Sequence, residues 1–98
     1  MKHRLSKQAT DDLLNIADYY LDYSVKTSEA VRDDIDAVFK VLEVFPRSGT
    51  VMADGTRRNV SSKYRYVIAS TVENDEVVVL GIYRHQDRVP KARPPRTP

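Results

Sequence analysis

The fold is decided by Tyr64-Arg65-Tyr66-Val67-Ile68-Ala69-Ser70-Thr71 and the run after it, Val77-Val78-Val79-Leu80-Gly81-Ile82-Tyr83. Both runs are rich in β-branched and aromatic residues, and the polar Glu73-Asn74-Asp75-Glu76 between them has the length of a hairpin loop. They therefore read as two antiparallel strands. Arg57 to Ser61, just past the Asp54-Gly55 turn, supplies a third strand, and Lys2 to Leu5 a short edge strand.

Upstream of Pro46 the apolar period changes from two to 3.6. Ala9, Leu13, Ile16, Ala17 and Tyr20 fall on one helical stripe, with Ser6 as N-cap and Asp11 and Asp12 placed early enough to suit the positive end of the helix dipole. Val31, Ile35, Val38, Phe39, Leu42 and Phe45 form a second stripe, with Ser28 as its cap and Glu29 in its first turn, and Pro46 stops it. The polar break at residues 23–28 makes the two helices an antiparallel hairpin. Helices followed by strands, without βαβ alternation, give an α+β fold: an N-terminal antiparallel helical hairpin packed on a three- to four-stranded antiparallel β-sheet. So small a core leaves the other sheet face open to solvent or a partner.

The 98 residues suffice for one domain, taken as residues 1–90, and 91–98 read as a basic, proline-rich tail that is extended and flexible. At 41% hydrophobic and 31% charged residues the chain can close a core and remain soluble. It has no apolar run long enough for a membrane span and no signal-peptide core, which makes a cytoplasmic location the expectation and a membrane partner not expected. The absence of cysteine removes disulfides, zinc knuckles, iron–sulfur ligation and thiol nucleophiles. With two histidines only, no metal site and no cofactor are expected. Phosphate-loop, HExxH and GxSxG motifs are all missing, so nucleotide hydrolysis, zinc proteolysis and serine hydrolysis have no support.

Charge is distributed unevenly. Residues 1–45 carry 6 basic and 9 acidic groups, and residues 46–98 carry 10 basic and 5 acidic ones. Such asymmetry suits an anionic partner. The candidates are Arg57, Arg58, Lys63, Arg65, Arg84, His85 and Arg88, interleaved with Tyr64, Tyr66 and Tyr83. Arginines bind phosphates or carboxylates in bidentate fashion, and tyrosine faces can stack on bases, although strand aromatics usually pack into a core instead. His85 is a candidate general acid or base, with Arg65 and Arg84 as the cations that RNA cleavage by a 2′-hydroxyl requires; no second proton-transfer group accompanies it, and a histidine at a strand end is more often structural. The acidic pairs Asp11-Asp12 and Asp33-Asp34 read as solvated helix surface, and His3 as incidental.

In order, Leu5-Ser6 with Ala9, Asp12-Leu13 with Ile16 and Tyr20, Pro46-x-x-Gly49, Gly55-x-Arg57, Tyr64-Arg65-Tyr66-Val67-Ile68 and Val79-Leu80-x-Ile82-x-x-His85-x-x-Arg88 resemble the RelE/ParE superfamily of type II toxin–antitoxin toxins, over roughly residues 3–88. The resemblance implies the same α+β fold. It also implies one of two activities: ribosome-dependent mRNA cleavage, as in RelE-like members, or poisoning of DNA gyrase without nuclease chemistry, as in ParE-like ones. Arg65 matches an arginine of the nucleases and Arg58 stands where they place a lysine. Their catalytic aromatic is missing after Arg88, where the chain reads Val89-Pro90-Lys91. The helix pair, the Pro46-x-x-Gly49 turn and the His85-x-x-Arg88 ending look more like ParE. The resemblance therefore implies a gyrase-directed toxin in a hetero-oligomer with a cognate antitoxin, whose acidic C-terminal segment wraps the toxin and whose N-terminal domain binds DNA. Arg57, Arg58, Arg65, Arg84, His85 and Arg88 would then bind antitoxin or target, with His85 and Arg88 positional. The alternatives are a metal-independent nuclease using Arg65, Arg84 and His85, or a non-toxic antitoxin-binding domain.

Overall fold

The computed structural model describes residues 1–84. In chain order they form β1 (Lys2–Leu5), α1 (Lys7–Leu21), α2 (Val25–Val44), β2 (Thr50–Val51), β3 (Arg57–Val60), β4 (Tyr66–Glu73) and β5 (Glu76–Arg84). The sheet has five strands in the order β1-β5-β4-β3-β2, one or two more than the pattern predicts. The additional strand, β2, is only two residues long and exposed, too short to leave a period-2 signature. β1 is the predicted edge strand, but it pairs parallel to β5, so the sheet is mixed. The chain returns to β5 only after the hairpin and three strands, a long crossover of the kind that parallel neighbours need.

Serines set both helix starts. Ser6 Oγ accepts from the Ala9 amide at 3.1 Å, the predicted cap, while its own amide donates to Val79 O at 2.9 Å and fastens the start of α1 to β5. For α2 the cap is Ser24, accepting from Thr27 N at 2.9 Å, and not Ser28. Ser28 lies a turn inside the helix, buried, donating to Ala17 O at 3.0 Å across the hairpin. The break between the helices thus shortens to residues 22–24, and Glu29 falls beyond the first turn of α2, as Asp11 and Asp12 fall beyond that of α1. Pro46 ends α2 as expected, by holding Phe45 out of helical geometry at φ −124° and ψ 74°. Phe45 therefore leaves the predicted stripe and is 64% exposed.

The core lies between the helix pair and one sheet face. Ala9 and Tyr20 of α1 and Val31, Ile35, Phe39 and Leu42 of α2 close over Tyr66 and Ile68 of β4 and Val77, Val79 and Ile82 of β5. β4 and β5 are joined by a two-residue turn whose residues, Asn74 (φ 50°) and Asp75 (φ 60°), are both left-handed, as that hairpin geometry requires. Ala69 pairs with Gly81 and Ser70 with Val79, so Leu80 is a bulge residue; this is why core positions on β5 jump from Val79 to Ile82. The opposite sheet face is not the bare surface expected. Val67, Ala69 and Val78 are 4, 6 and 3% exposed there, flanked in register by Arg58, Tyr83 and Arg4.

Candidate functional site

Arg65 is presented by the turn that links β3 to β4. Ser61 N donates to Tyr66 O at 2.8 Å, and Tyr66 N to Ser61 Oγ at 2.9 Å, which closes the turn at its base. Its outer amides are taken by α2: Asp34 Oδ2 accepts from Tyr64 N at 2.7 Å, and Oδ1 from Lys63 N at 3.1 Å. Asp34 is buried. Burial pushes its carboxyl pKa up, but the bonds from the Tyr64 amide, the Ser61 hydroxyl and the Lys63 amide outweigh this and leave it below the usual carboxylate value. Arg65 itself is exposed, at φ 61°, and makes no hydrogen bond or ion pair with the described residues.

Beside this turn lies a group of tyrosines. Arg84, at the end of β5, donates from Nη2 to Tyr20 Oη at 3.4 Å, and its guanidinium carbon lies 5.8 Å from the centre of the Tyr66 ring, a cation–π arrangement. No carboxylate among the described residues reaches it. Tyr20 lies edge-on to Tyr64, at 6.1 Å between ring centres, and to Tyr19, at 5.0 Å; Tyr19 and Tyr23 are 51 and 68% exposed at the hairpin tip. The hydrogen bond between Tyr23 Oη and Tyr19 Oη, 3.2 Å apart, is the main cause of the raised Tyr23 phenol pKa.

Arg57 and Arg58 do not join this group. Neighbouring residues of a strand point to opposite faces. Arg58 lies on the face away from the helices, donating to Tyr83 Oη at 3.0 Å and to Thr56 Oγ1 at 2.7 Å. Arg57 is in register with Ser70, turns to the helix side and donates to the Arg47 carbonyl. The single basic cluster read from the sequence is thus divided by the sheet. Tyr66 packs in the core with Tyr64 against it, as expected of strand aromatics. His85, Arg88 and the 91–98 tail lie outside the described residues.

Two aspartates that read as solvated surface are structural. Asp34 clamps the Arg65 turn, and Asp12 Oδ2 accepts from Ile82 N at 2.9 Å, beside the β5 bulge. A signal for both was present: each sits three residues after a buried member of its stripe, Asp12 after Ala9 and Asp34 after Val31, and so faces inward. Asp11 and Asp33, one position earlier, are exposed. Nor is His3 incidental: its Nδ1 lies 2.7 Å from Glu43 Oε2, and its ring 5.0 Å from that of Phe39, tying β1 to α2. No cluster of metal-ligating side chains occurs among the described residues, and none of their helices is long and apolar enough to cross a membrane.

An apolar groove of about 280 Å³ runs between α2 and the end of β3, beyond its pairing with β2, lined by Asp34, Ala37, Val38, Val41, Asn59, Val60 and Ser62. Val41 and Val60 there are 47 and 46% exposed. The model of the ParE toxins of type II toxin–antitoxin systems (parDE) matches residues 4–89, almost the whole chain. This chain belongs to the ParE toxin family. Its fold recurs in a solved structure described as the chromosomal ParDE toxin–antitoxin system of P. aeruginosa, with a TM-score of 0.75 at 22% identity, over 86% of this chain and 95% of that one. No curated protein matches it. In this ParE-family toxin Arg58 lies on one sheet face, Arg57 and Arg84 on the other, and Arg65 on the β3–β4 turn.

Proposed function

We propose that this ParE-family toxin acts by binding DNA gyrase, and that a cognate antitoxin with an acidic C-terminal segment and a DNA-binding N-terminal domain holds it inactive in a hetero-oligomer. The observation that carries the reading is the match to the ParE toxin family over residues 4–89, and the separation of Arg58 from Arg84 agrees with it. A phosphorane-like transition state needs its cations and proton carriers within hydrogen-bond reach of one phosphate. Arg58 is held by Tyr83 and Thr56 on one sheet face, while Arg84 is held by Tyr20 on the other. That arrangement suits recognition of an extended protein surface better than cleavage of one bond. Arg57, Arg58, Arg65 and Arg84 are the assigned binding residues, joined by His85 and Arg88 beyond the described segment.

The antitoxin seat is the apolar groove between α2 and β3, where a bound segment would cover Val41 and Val60 and where the basic half of the chain begins. A segment that is disordered when free would place apolar side chains in the groove and carboxylates toward Arg65. The chain is assigned to the cytoplasm, where both partners would meet it. Purified toxin titrated into a gyrase supercoiling and DNA-cleavage assay tests the proposal. Supercoiling is expected to fall and cleaved DNA to accumulate, and added antitoxin to reverse both. Gyrase unaffected, together with ribosome-bound mRNA cut by the same protein and spared in His85→Ala, would replace this reading with the nuclease.

A further inference from the structure

Among the described residues, three that are not glycine have left-handed backbone: Arg65 (φ 61°), Asn74 (φ 50°) and Asp75 (φ 60°). Asn and Asp tolerate that region because their short polar side chains bond locally, and a two-residue hairpin turn demands it. Arginine has no such excuse. Its Cβ crowds the following carbonyl there, and glycine would occupy the same backbone without strain. A residue in a costly conformation persists only where its surroundings over-determine it, and such positions concentrate at functional sites. Here the surroundings are visible: Asp34, on a different element, takes the Lys63 and Tyr64 amides at 3.1 and 2.7 Å, while Ser61 and Tyr66 close the base of the turn at 2.8 and 2.9 Å.

We infer that Asp34 is a positioning residue: from α2 it holds the 61–66 turn in the one backbone arrangement that directs Arg65 outward, uncommitted to any described side chain, as a contact for the toxin's macromolecular target. Three features separate this from a purely structural clamp. The residue at the strained position is a long cation. It is exposed and contributes nothing to the core. The other arginines of β3 and β5 are each engaged by a neighbour, Arg57 by the Arg47 carbonyl, Arg58 by Tyr83 and Arg84 by Tyr20. The side chain at position 65 is therefore of no use to the fold, and the turn carries a backbone cost in order to display it. This inference rests on the gyrase reading for the identity of the target, but not for its geometry.

Four proteins test it: wild type, Asp34→Asn, Arg65→Gly and the double variant. Each is read by melting temperature, inhibition of gyrase supercoiling, antitoxin affinity by calorimetry and growth arrest on expression. Asn at position 34 keeps one acceptor and turns an N–H₂ toward the second amide, which loosens the turn without emptying the site. Arg65→Gly is expected to melt no lower than wild type, yet to need at least about tenfold more protein to inhibit gyrase, in keeping with the loss of a charged contact. Asp34→Asn is expected to lose inhibition to a similar degree at temperatures well below its melting point. In the Arg65→Gly background, Asp34→Asn should cost nothing further, since the group it positions has gone.

Inhibition by Arg65→Gly equal to wild type overturns the inference, and so does a full additional loss in the double variant, or a fall in Arg65→Gly melting temperature. A loss confined to antitoxin affinity overturns Arg65 as a target contact. If wild type arrests growth without touching gyrase, the gyrase reading fails alone, and the same pattern of losses in growth arrest then decides the inference. If wild type does neither, both fall.

Discussion

Asp34 and its neighbour Asp33 show how one position along a helix changes the chemistry of a carboxylate. Asp33 is exposed; Asp34 is buried and accepts two backbone amides of the β3–β4 turn. Those bonds favour the ionised form and hold the pKa below its ordinary value of 3.8 despite burial. A group whose pKa is depressed by folding contributes stability that is fully present above its unfolded-state value and is lost as pH falls through the folded one. The stabilisation is therefore intact at neutral pH and fades below about pH 4. Urea midpoints measured from neutral pH down to about pH 2 should fall more steeply for wild type than for Asp34→Asn, which starts less stable and has no such carboxylate to protonate. Parallel curves for the two proteins would show that the clamp is not energetically coupled to ionisation.

At the scale of elements, the start of α2 is set by a different serine from the one its stripe alone suggests. Ser24 has extended backbone, with φ −170° and ψ 149°, and an oxygen 2.9 Å from the Thr27 amide, so it satisfies a donor that the first turn of α2 otherwise leaves open. Ser24→Ala should cost about 1 kcal/mol in equilibrium unfolding, the usual value of a cap. An unchanged urea midpoint would mean that water replaces the hydroxyl at no cost. β5 is governed from outside itself in the same way. Its bulge at Leu80 lies where Ser6 Oγ donates to Leu80 O at 3.1 Å and Asp12 takes Ile82 N at 2.9 Å, so α1 fixes the shift in strand register.

For the whole molecule, the helix pair and the sheet share a single core, and Ile35 is at its centre with no exposure. Ile35→Ala should remove about 2–5 kcal/mol, a large part of the roughly 5–15 kcal/mol typical of a domain. Thermal or urea unfolding would give that value directly, and saturating antitoxin should raise the transition of the variant as it does that of wild type, because a ligand that binds only the folded state stabilises it by mass action. A loss under about 1 kcal/mol would mean that the helices settle into the vacated space. The proposed contact surface depends on the same assembly: the hairpin supplies Asp34 and Tyr20, the sheet supplies Arg84 and the turn carrying Arg65, and neither half alone builds it.

The amino-acid order determined by itself whatever depends on local periodicity. The 3.6-residue stripes, the Pro46 stop, the β4–β5 hairpin around Asn74-Asp75 and the edge strand at the N-terminus follow from the spacing of apolar residues and from turn chemistry, which act between near neighbours. The absence of cysteine and of phosphate-loop motifs also needed no coordinates, and the family was legible in the resemblance that its ordered motifs carry. Tertiary structure alone decided the features whose partners are distant along the chain. The parallel pairing of β1 with β5 joins residues more than 70 positions apart, as in Lys2 with Glu76. The partition of Arg57, Arg58 and Arg84 depends on strand register, which a one-residue bulge alters. Asp12 and Asp34 each follow a second aspartate that faces water, and helical spacing says only that they turn inward, not what they meet there. Their partners are backbone amides 70 and 30 residues away, which carry no side-chain signature in the sequence. Those amides come within reach only when helix and strand are brought together, because they belong to elements formed later in the chain.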